Sequence, residues 1–368
     1  MRLSIFTLAA ALAMTVAAAK QTPLMEQSAA AESDLFSLHA DLVKIPSVTG
    51  QEHDVAEYLY KYLEKSNFTV EKLPIDDGPR ENIYAYRGEK RDTKVLLTSH
   101  IDTVPPFLPY EDHGDWVSGR GSSDAKASVA AQITAAKELE SDDVSLLFVV
   151  GEETDGIGMK QAHKMGVKWE TVIFGEPTEL KLAVGHKGLI LANVKASGKA
   201  SHSGYPELGS SATEKLVTAL YKLQNLEFPR SELLGPTTLN IGTIRGGVAA
   251  NVLPAEAIAT LAIRVATELD TVMKKLQDAV AEVDDVELEI TGSYGEQTCD
   301  YDVAGFDTIT VSYGTDIPNM SHKLYKRKYL YGPGSILVAH GPDEYVEKKD
   351  LERTVKGYKK LVKHALSA

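Results

Sequence analysis

Cysteine is almost absent from this chain: Cys299 is the only one among 368 residues. No intrachain disulfide can form, so the fold must rest on its apolar core and on any metal it holds. No His or base pattern surrounds Cys299, which reads as a small buried hydrophobe and not as a nucleophile. Positive charge is in deficit, with 39 Lys and Arg against 52 Asp and Glu, a net charge of −13 and a pI near 5.3. Nucleic-acid binders need a basic footprint, and this composition excludes that class. Beyond the N-terminus no stretch is apolar for long enough to span a bilayer, so no membrane partner is expected. Internal repeats and low-complexity tracts are missing. So is a Gly-x-Ser-x-Gly elbow, which sets aside a serine hydrolase.

What is present suits a globular protein: 43% of residues are apolar and 25% charged, over a length that allows two domains. Arg2 precedes the apolar, Ala-rich stretch Ile5 to Ala19, and Ala17-Ala18-Ala19 offers a small-residue cleavage site. Residues 1–19 therefore read as a secretory signal peptide, and the protein is expected outside the cell. Residues 20–33 are small and polar, a loose lead-in or pro-segment. In that context Asn67-Phe68-Thr69 and Asn319-Met320-Ser321 are expected to be surface glycosylation acceptors.

From Asp34 the pattern turns helical, with Leu35, Leu38, Leu42 and Ile45 at three- and four-residue spacing until Pro46. A second amphipathic helix covers 51–65. Residues 82–87 and 94–99 read as strands, and Asp124 opens an Ala-rich helix to about Glu140. The continuous apolar runs 144–150 and 171–175 suit strands covered on both faces. Strands alternating with helices predict an α/β fold with a mixed sheet. Near Gly185 the order becomes β-α-β-β-α-β, with strands at 189–196, 238–244, 257–265 and 286–291 and helices at 210–226 and 269–283. This predicts an inserted α+β domain over 185–295 within a first domain made of 34–184 plus 296–368, which ends in a helix at 348–366.

Function in open α/β sheets gathers at the carboxyl ends of strands. His100 and Asp102 follow one predicted strand, Glu152 and Glu153 the next, and Glu176 a third. Asp124 sits in the Gly-rich turn Gly119-Arg120-Gly121-Ser122-Ser123-Asp124, where an Asp is more often a helix cap. Adjacent carboxylates after a fully apolar strand are costly unless paired or metal-bound. Together with His340, these residues suit a dinuclear zinc centre, in which one carboxylate stays unligated to move the proton of an attacking water.

Seven stretches then resemble one family: Ser-His-Ile-Asp-Thr-Val-Pro-Pro (99–106), Gly-Arg-Gly-Ser-Ser-Asp-Ala-Lys (119–126), Gly-Glu-Glu-Thr (151–154), Gly-Glu-Pro-Thr (175–178), Gly-Lys-Ala-Ser-His-Ser-Gly-Tyr-Pro (198–206), Gly-Gly-Val-Ala-Ala-Asn-Val-Leu-Pro (246–254) and Ala-His-Gly-Pro-Asp-Glu-Tyr-Val (339–346). The family is the dinuclear-zinc hydrolases of acetylornithine deacetylase, succinyl-diaminopimelate desuccinylase, aminoacylase and glutamate carboxypeptidase. The chain looks most like its secreted fungal carboxypeptidases.

The resemblance implies two zinc ions per subunit. His100 and Glu176 would serve one, Glu153 and His340 the other, and Asp124 both. Asp102 would orient His100, and Glu152 would be the general base and acid. The inserted domain would act as a lid and dimerisation module. His202 in it would stabilise the oxyanion, in some relatives from a partner subunit, while Asn251 and Arg264 would bind substrate. Without the family, His202 in its Gly/Ser-rich turn reads as a solvated loop residue, and Arg264 reads equally well as the partner of a neighbouring acid. One departure is Ala127, where relatives have Gly, and Ala suits a helix better. The expected function is a secreted exopeptidase acting on small peptides. An N-acyl-amino-acid deacylase is the rival, and a catalytically inactive metal- or peptide-binding protein is the reading from another class.

Overall fold

The computed structural model describes residues 24–75 and 78–367. The proposed signal segment lies outside the described residues. The first helix runs Leu24–Lys44, so it begins well before Asp34, and residues 24–33 are helical and not a loose lead-in.

A six-stranded mixed sheet carries the first domain, in the order Thr69–Pro74, Glu81–Tyr86, Val144–Val149, Val95–His100, Thr171–Phe174 and Arg327–Leu330. The last four run parallel, and the first two are antiparallel to their neighbours. Every residue of Val95–His100 and of Val144–Val149 is buried. Alternation splits each strand between two cores. Val95, Leu97, Leu146 and Phe148 face a layer with Leu38, Leu42 and Ile133 and with Leu351 and Tyr358 of the helix Lys348–Ser367. Leu96, Leu147 and Val149 face Met159, Trp169 and Val311. A strand apolar on both faces is stable only when both are covered, which explains the unbroken apolar runs.

The lid is a separate antiparallel sheet in the order Thr238–Gly246, Glu256–Val265, Gly188–Ser197, Val286–Tyr294. The helices Ala212–Gln224 and Leu269–Ala281 cover one face, burying Leu216, Leu220, Val272 and Leu276 against Ile190, Val194, Leu261 and Ile263. Strand burial alternates accordingly, and the second face is left for the cleft between lid and sheet. Several short strands have only brief apolar runs to mark them. Leu182–His186, for instance, pairs with Thr308–Val311 and Gln297–Thr298. No helix among the described residues is long and apolar enough to cross a membrane.

Candidate active site and metal centre

Parallel strands end together, and their carboxyl ends bring distant residues into one cluster. His100 is the last residue of its strand and is buried. Its Nδ1–H donates to the Asp102 carbonyl at 3.0 Å, which leaves Nε2 directed at Asp124 Oδ1, 3.2 Å away. The other Asp124 oxygen, Oδ2, lies 3.3 Å from His340 Nε2. His340 Nε2 also meets Glu153 Oε2 at 3.0 Å, and Glu176 Oε2 lies 3.9 Å from His100 Nε2. His340 takes a left-handed backbone conformation, φ +63°, at a typical cost of about 1–3 kcal/mol for a non-glycine residue.

Asp124 is therefore not a helix cap. The helix starts at Lys126 with Ala125 at its N-cap position and no side-chain cap bond. Ala127 lies buried within it. Two groups missed by sequence reasoning hold the Asp124 turn. The buried Glu344 accepts the N–H groups of Ser123 (3.0 Å) and Asp124 (3.1 Å) on one oxygen and pairs with Arg120 Nη1 (2.7 Å) on the other. Its one available signal was an acid four residues beyond His340.

Asp102 joins His100 to the acidic loop. Its carboxylate lies 3.6 Å from His100 Nδ1 and accepts the N–H groups of Glu152 (3.1 Å) and Glu153 (3.2 Å) and the Thr49 hydroxyl (2.7 Å). Burial alone would raise its pKa, but these bonds and His100 hold the carboxyl below its ordinary range. Gly151 turns the chain into that loop with φ +77°, a conformation glycine adopts without strain. Glu152 approaches neither histidine within ion-pair distance and lines the open cleft.

The electrostatics are those of acids crowded together. Burial and the neighbouring carboxylates raise the pKa values of Glu152, Glu153 and Glu176. His340 is pushed up to about 10 by Asp124 and Glu153. Buried like charges at this spacing call for cations. The imidazole and carboxylate donors fit the need: His100, Asp124 and Glu153 present ligand atoms within 4.8 Å of one another, and each Asp124 oxygen serves a different histidine. Mixed N and O donors of this kind suit zinc. Asp316, a further buried acid beside this loop, accepts from Asn319 Nδ2 at 2.9 Å and is raised to about 6, chiefly by burial.

The cleft above the cluster has a volume of about 650 Å³. Arg264 projects into it from the lid strand, beside Tyr294 and across from Glu152. Among the described residues it has no carboxylate within ion-pair distance, so it is not paired with a neighbouring acid. His202 and Asn251 are not brought to this cleft by their own chain. Both are exposed on lid loops, tied to each other's neighbours through the Ser203 N–H to Asn251 carbonyl bond (3.0 Å) and the His202–Val252 bridge. Asn319 is no open surface acceptor, because its Nδ2 is turned onto Asp316 and against Gly156. Asn67 is exposed in the turn after the helix His53–Lys65. Cys299 is buried and its thiol is pushed up to about 12 by burial, an inert environment. His39 and His186 are buried and bonded to Ser122 O (2.9 Å) and to Lys187 O (2.9 Å), apart from the cluster.

An α/β domain covered on both faces of its sheet, with a His and carboxylate cluster at its strand ends and an inserted lid above it, defines a metal-dependent hydrolase. Known proteins narrow the class. Residues 184–287 match the family model for the peptidase dimerisation domain. A peptidase M20 domain-containing protein of Schizosaccharomyces pombe is 51% identical over 345 residues, covering 91% of this chain and 86% of its own. A protein of Aspergillus niger named a probable carboxypeptidase is 43% identical, covering 98% and 97%. Among solved structures, a tripeptidase from Staphylococcus aureus superposes with a TM-score of 0.77 at 21% identity, over 92% of this chain and 99% of that one. A dinuclear metal-binding M20 peptidase from Bacillus subtilis does so at 0.69 and 15%, over 92% and 99%. At such identities these two speak to the fold alone. The chain belongs to the M20 peptidase family, a family of metallopeptidases, and it is a hydrolase.

Proposed function

We propose that this protein is a secreted, dinuclear zinc carboxypeptidase that releases the C-terminal residue of small peptides. Arg264 carries the reading. It sits beside Tyr294 with no carboxylate in ion-pair reach among the described residues, faces a cluster of acids across the cleft, and its bidentate guanidinium suits the free carboxylate of a peptide end. The fungal relatives named probable carboxypeptidases agree with it.

His100 and Glu176 would hold one zinc, His340 and Glu153 the other, with Asp124 between them. When bound, the ions supply the Lewis acidity that activates water and polarises the scissile carbonyl. The protein's own groups do the rest. Asp102 fixes the His100 ring and the backbone of the Glu152 loop. Glu152, touching no histidine, takes the proton of the attacking water and returns it to the leaving nitrogen. Its carboxyl already binds a proton more readily than usual, from burial first and neighbouring acids second. Arg264 fixes the distance from carboxylate to scissile bond. His202 and Asn251 would reach a cleft only from the lid of a second copy, which makes a homodimer the working unit, and Asn67 would carry the glycan.

An N-acyl-amino-acid deacylase would use the same clamp and the same proton path. Assay of the zinc-loaded protein on dipeptides and on N-acetyl amino acids decides between them, and no turnover of dipeptides removes the carboxypeptidase reading. Glu152→Ala is expected to abolish turnover with both metals retained, as measured by metal analysis of the purified variant. Loss of zinc in that variant would reassign Glu152 as a ligand, and normal turnover would show that the proton does not pass through this residue.

A further inference from the structure

We propose that the residue this enzyme releases carries a large apolar side chain, seated on the lid strands beside Arg264. The proposal rests on the reading that Arg264 holds the carboxylate of the released amino acid. In the lid sheet Arg264 pairs with Leu189, and Leu189 pairs with Tyr294, so the three form one cross-strand row. The next row on the same face is Ala262, Leu191 and Gly292, because residues two apart along a strand point the same way. Arg264, Leu189, Tyr294, Leu191 and Gly292 all line the cleft.

This wall differs from the floor opposite. The floor is carboxylate and imidazole, whereas the wall offers a cation and then apolar surface. Leu191 is 42% exposed, a leucine left open to water inside a concave site. Large apolar side chains facing a cleft mark the part of a ligand they will cover. Beside it the strand bulges between Ile290 and Gly292, and a Cβ built on Gly292 would meet nothing within 4 Å. The missing side chain leaves a hollow next to Leu191. An acidic side chain would find no second cation on this wall, since the cleft's Lys160 belongs to the helix Ile157–Gln161 of the first domain and donates to the Asp155 carbonyl.

The test uses the zinc-loaded protein and four dipeptides, Gly-Leu, Gly-Phe, Gly-Ala and Gly-Glu. Leu and Phe are expected to exceed Ala and Glu in kcat/KM by about tenfold or more, the discrimination an apolar pocket achieves. Gly292→Phe fills the hollow and should lower the Phe-to-Ala ratio by about tenfold. Its thermal midpoint should stay near that of the wild type, because the new side chain meets open space. Leu191→Asp should lower the Leu-to-Glu ratio. A wild-type preference for Ala or Glu, or variants that slow every substrate by one common factor, overturns the assignment. If dipeptides fail but N-acetyl amino acids are cleaved, the carboxypeptidase reading falls, and the same ratios on N-acetyl-Leu, -Phe, -Ala and -Glu decide the side-chain proposal. Inactivity on both classes overturns both.

Discussion

Asp124 shows what a single residue's environment decides. In a Gly-rich turn before a helix, an Asp ordinarily caps the helix, yet here both its oxygens face histidines. Glu344 makes that possible by taking over the backbone N–H of Asp124 itself. Glu344 and Arg120 are both almost fully buried, so neutralising one leaves the other a buried charge without a partner. Glu344→Gln is expected to cost about 3 kcal/mol of stability, read from urea denaturation of the metal-free protein. It should also weaken zinc binding about tenfold, read by competition with a chromogenic chelator. Unchanged zinc affinity would separate Glu344 from the metal centre.

At the scale of elements, the strand Val95–His100 and its neighbours were legible because burial on both faces writes an unbroken apolar run, and because the clustered histidine and acids sit where such runs stop. Leu182–His186 and its short partners were not, since their pairing is made by chain segments more than a hundred residues apart. The lid carries a second kind of surface. Val217 and Tyr221 lie on the outer side of the helix Ala212–Gln224, 61% and 68% exposed, and Ile244 lies on the adjoining edge strand at 59%. Among the described residues that strand pairs along one side only, with Glu256–Val265. An apolar helix face beside an open strand edge suits a second copy of the same lid. The double variant Val217→Glu, Ile244→Glu is expected to be monomeric in size-exclusion chromatography with light scattering. A dimer that survives it would have to use another face.

The whole molecule brings two further expectations. If His202 acts across a dimer, mixing inactive Glu152→Ala with crippled His202→Ala subunits should restore activity, because a mixed dimer holds one cleft with an intact Glu152 and an intact partner His202. Activity no higher than the sum of the separate variants would place His202 in its own chain's site or in none. The second expectation concerns acid. His39 and His186 are buried with pKa values lowered to about 4 from 6.5, by loss of hydration first, so both are neutral when folded. The unfolded chain protonates each near 6.5. Their stabilising contribution is therefore complete above that pH and is lost as pH falls toward 4. For each histidine the stability advantage of wild type over a His→Gln variant should shrink by about 2 kcal/mol between pH 7.5 and 5, measured by urea denaturation.

By itself the sequence determined the candidate positions, because His100, Glu152, Glu153 and Glu176 follow unbroken apolar runs that mark strands covered on both faces. It also determined an insertion with its own alternating strands. Only the tertiary structure decided what each of those residues meets. The lid's docking over the strand ends separates Arg264, which looks into the cleft without an acid to pair with, from His202 and Asn251, which lie on exposed loops of the same domain. A strand's pattern says which residues share a face. It does not say what that face will cover, which depends on how two independently folded cores pack across a cleft.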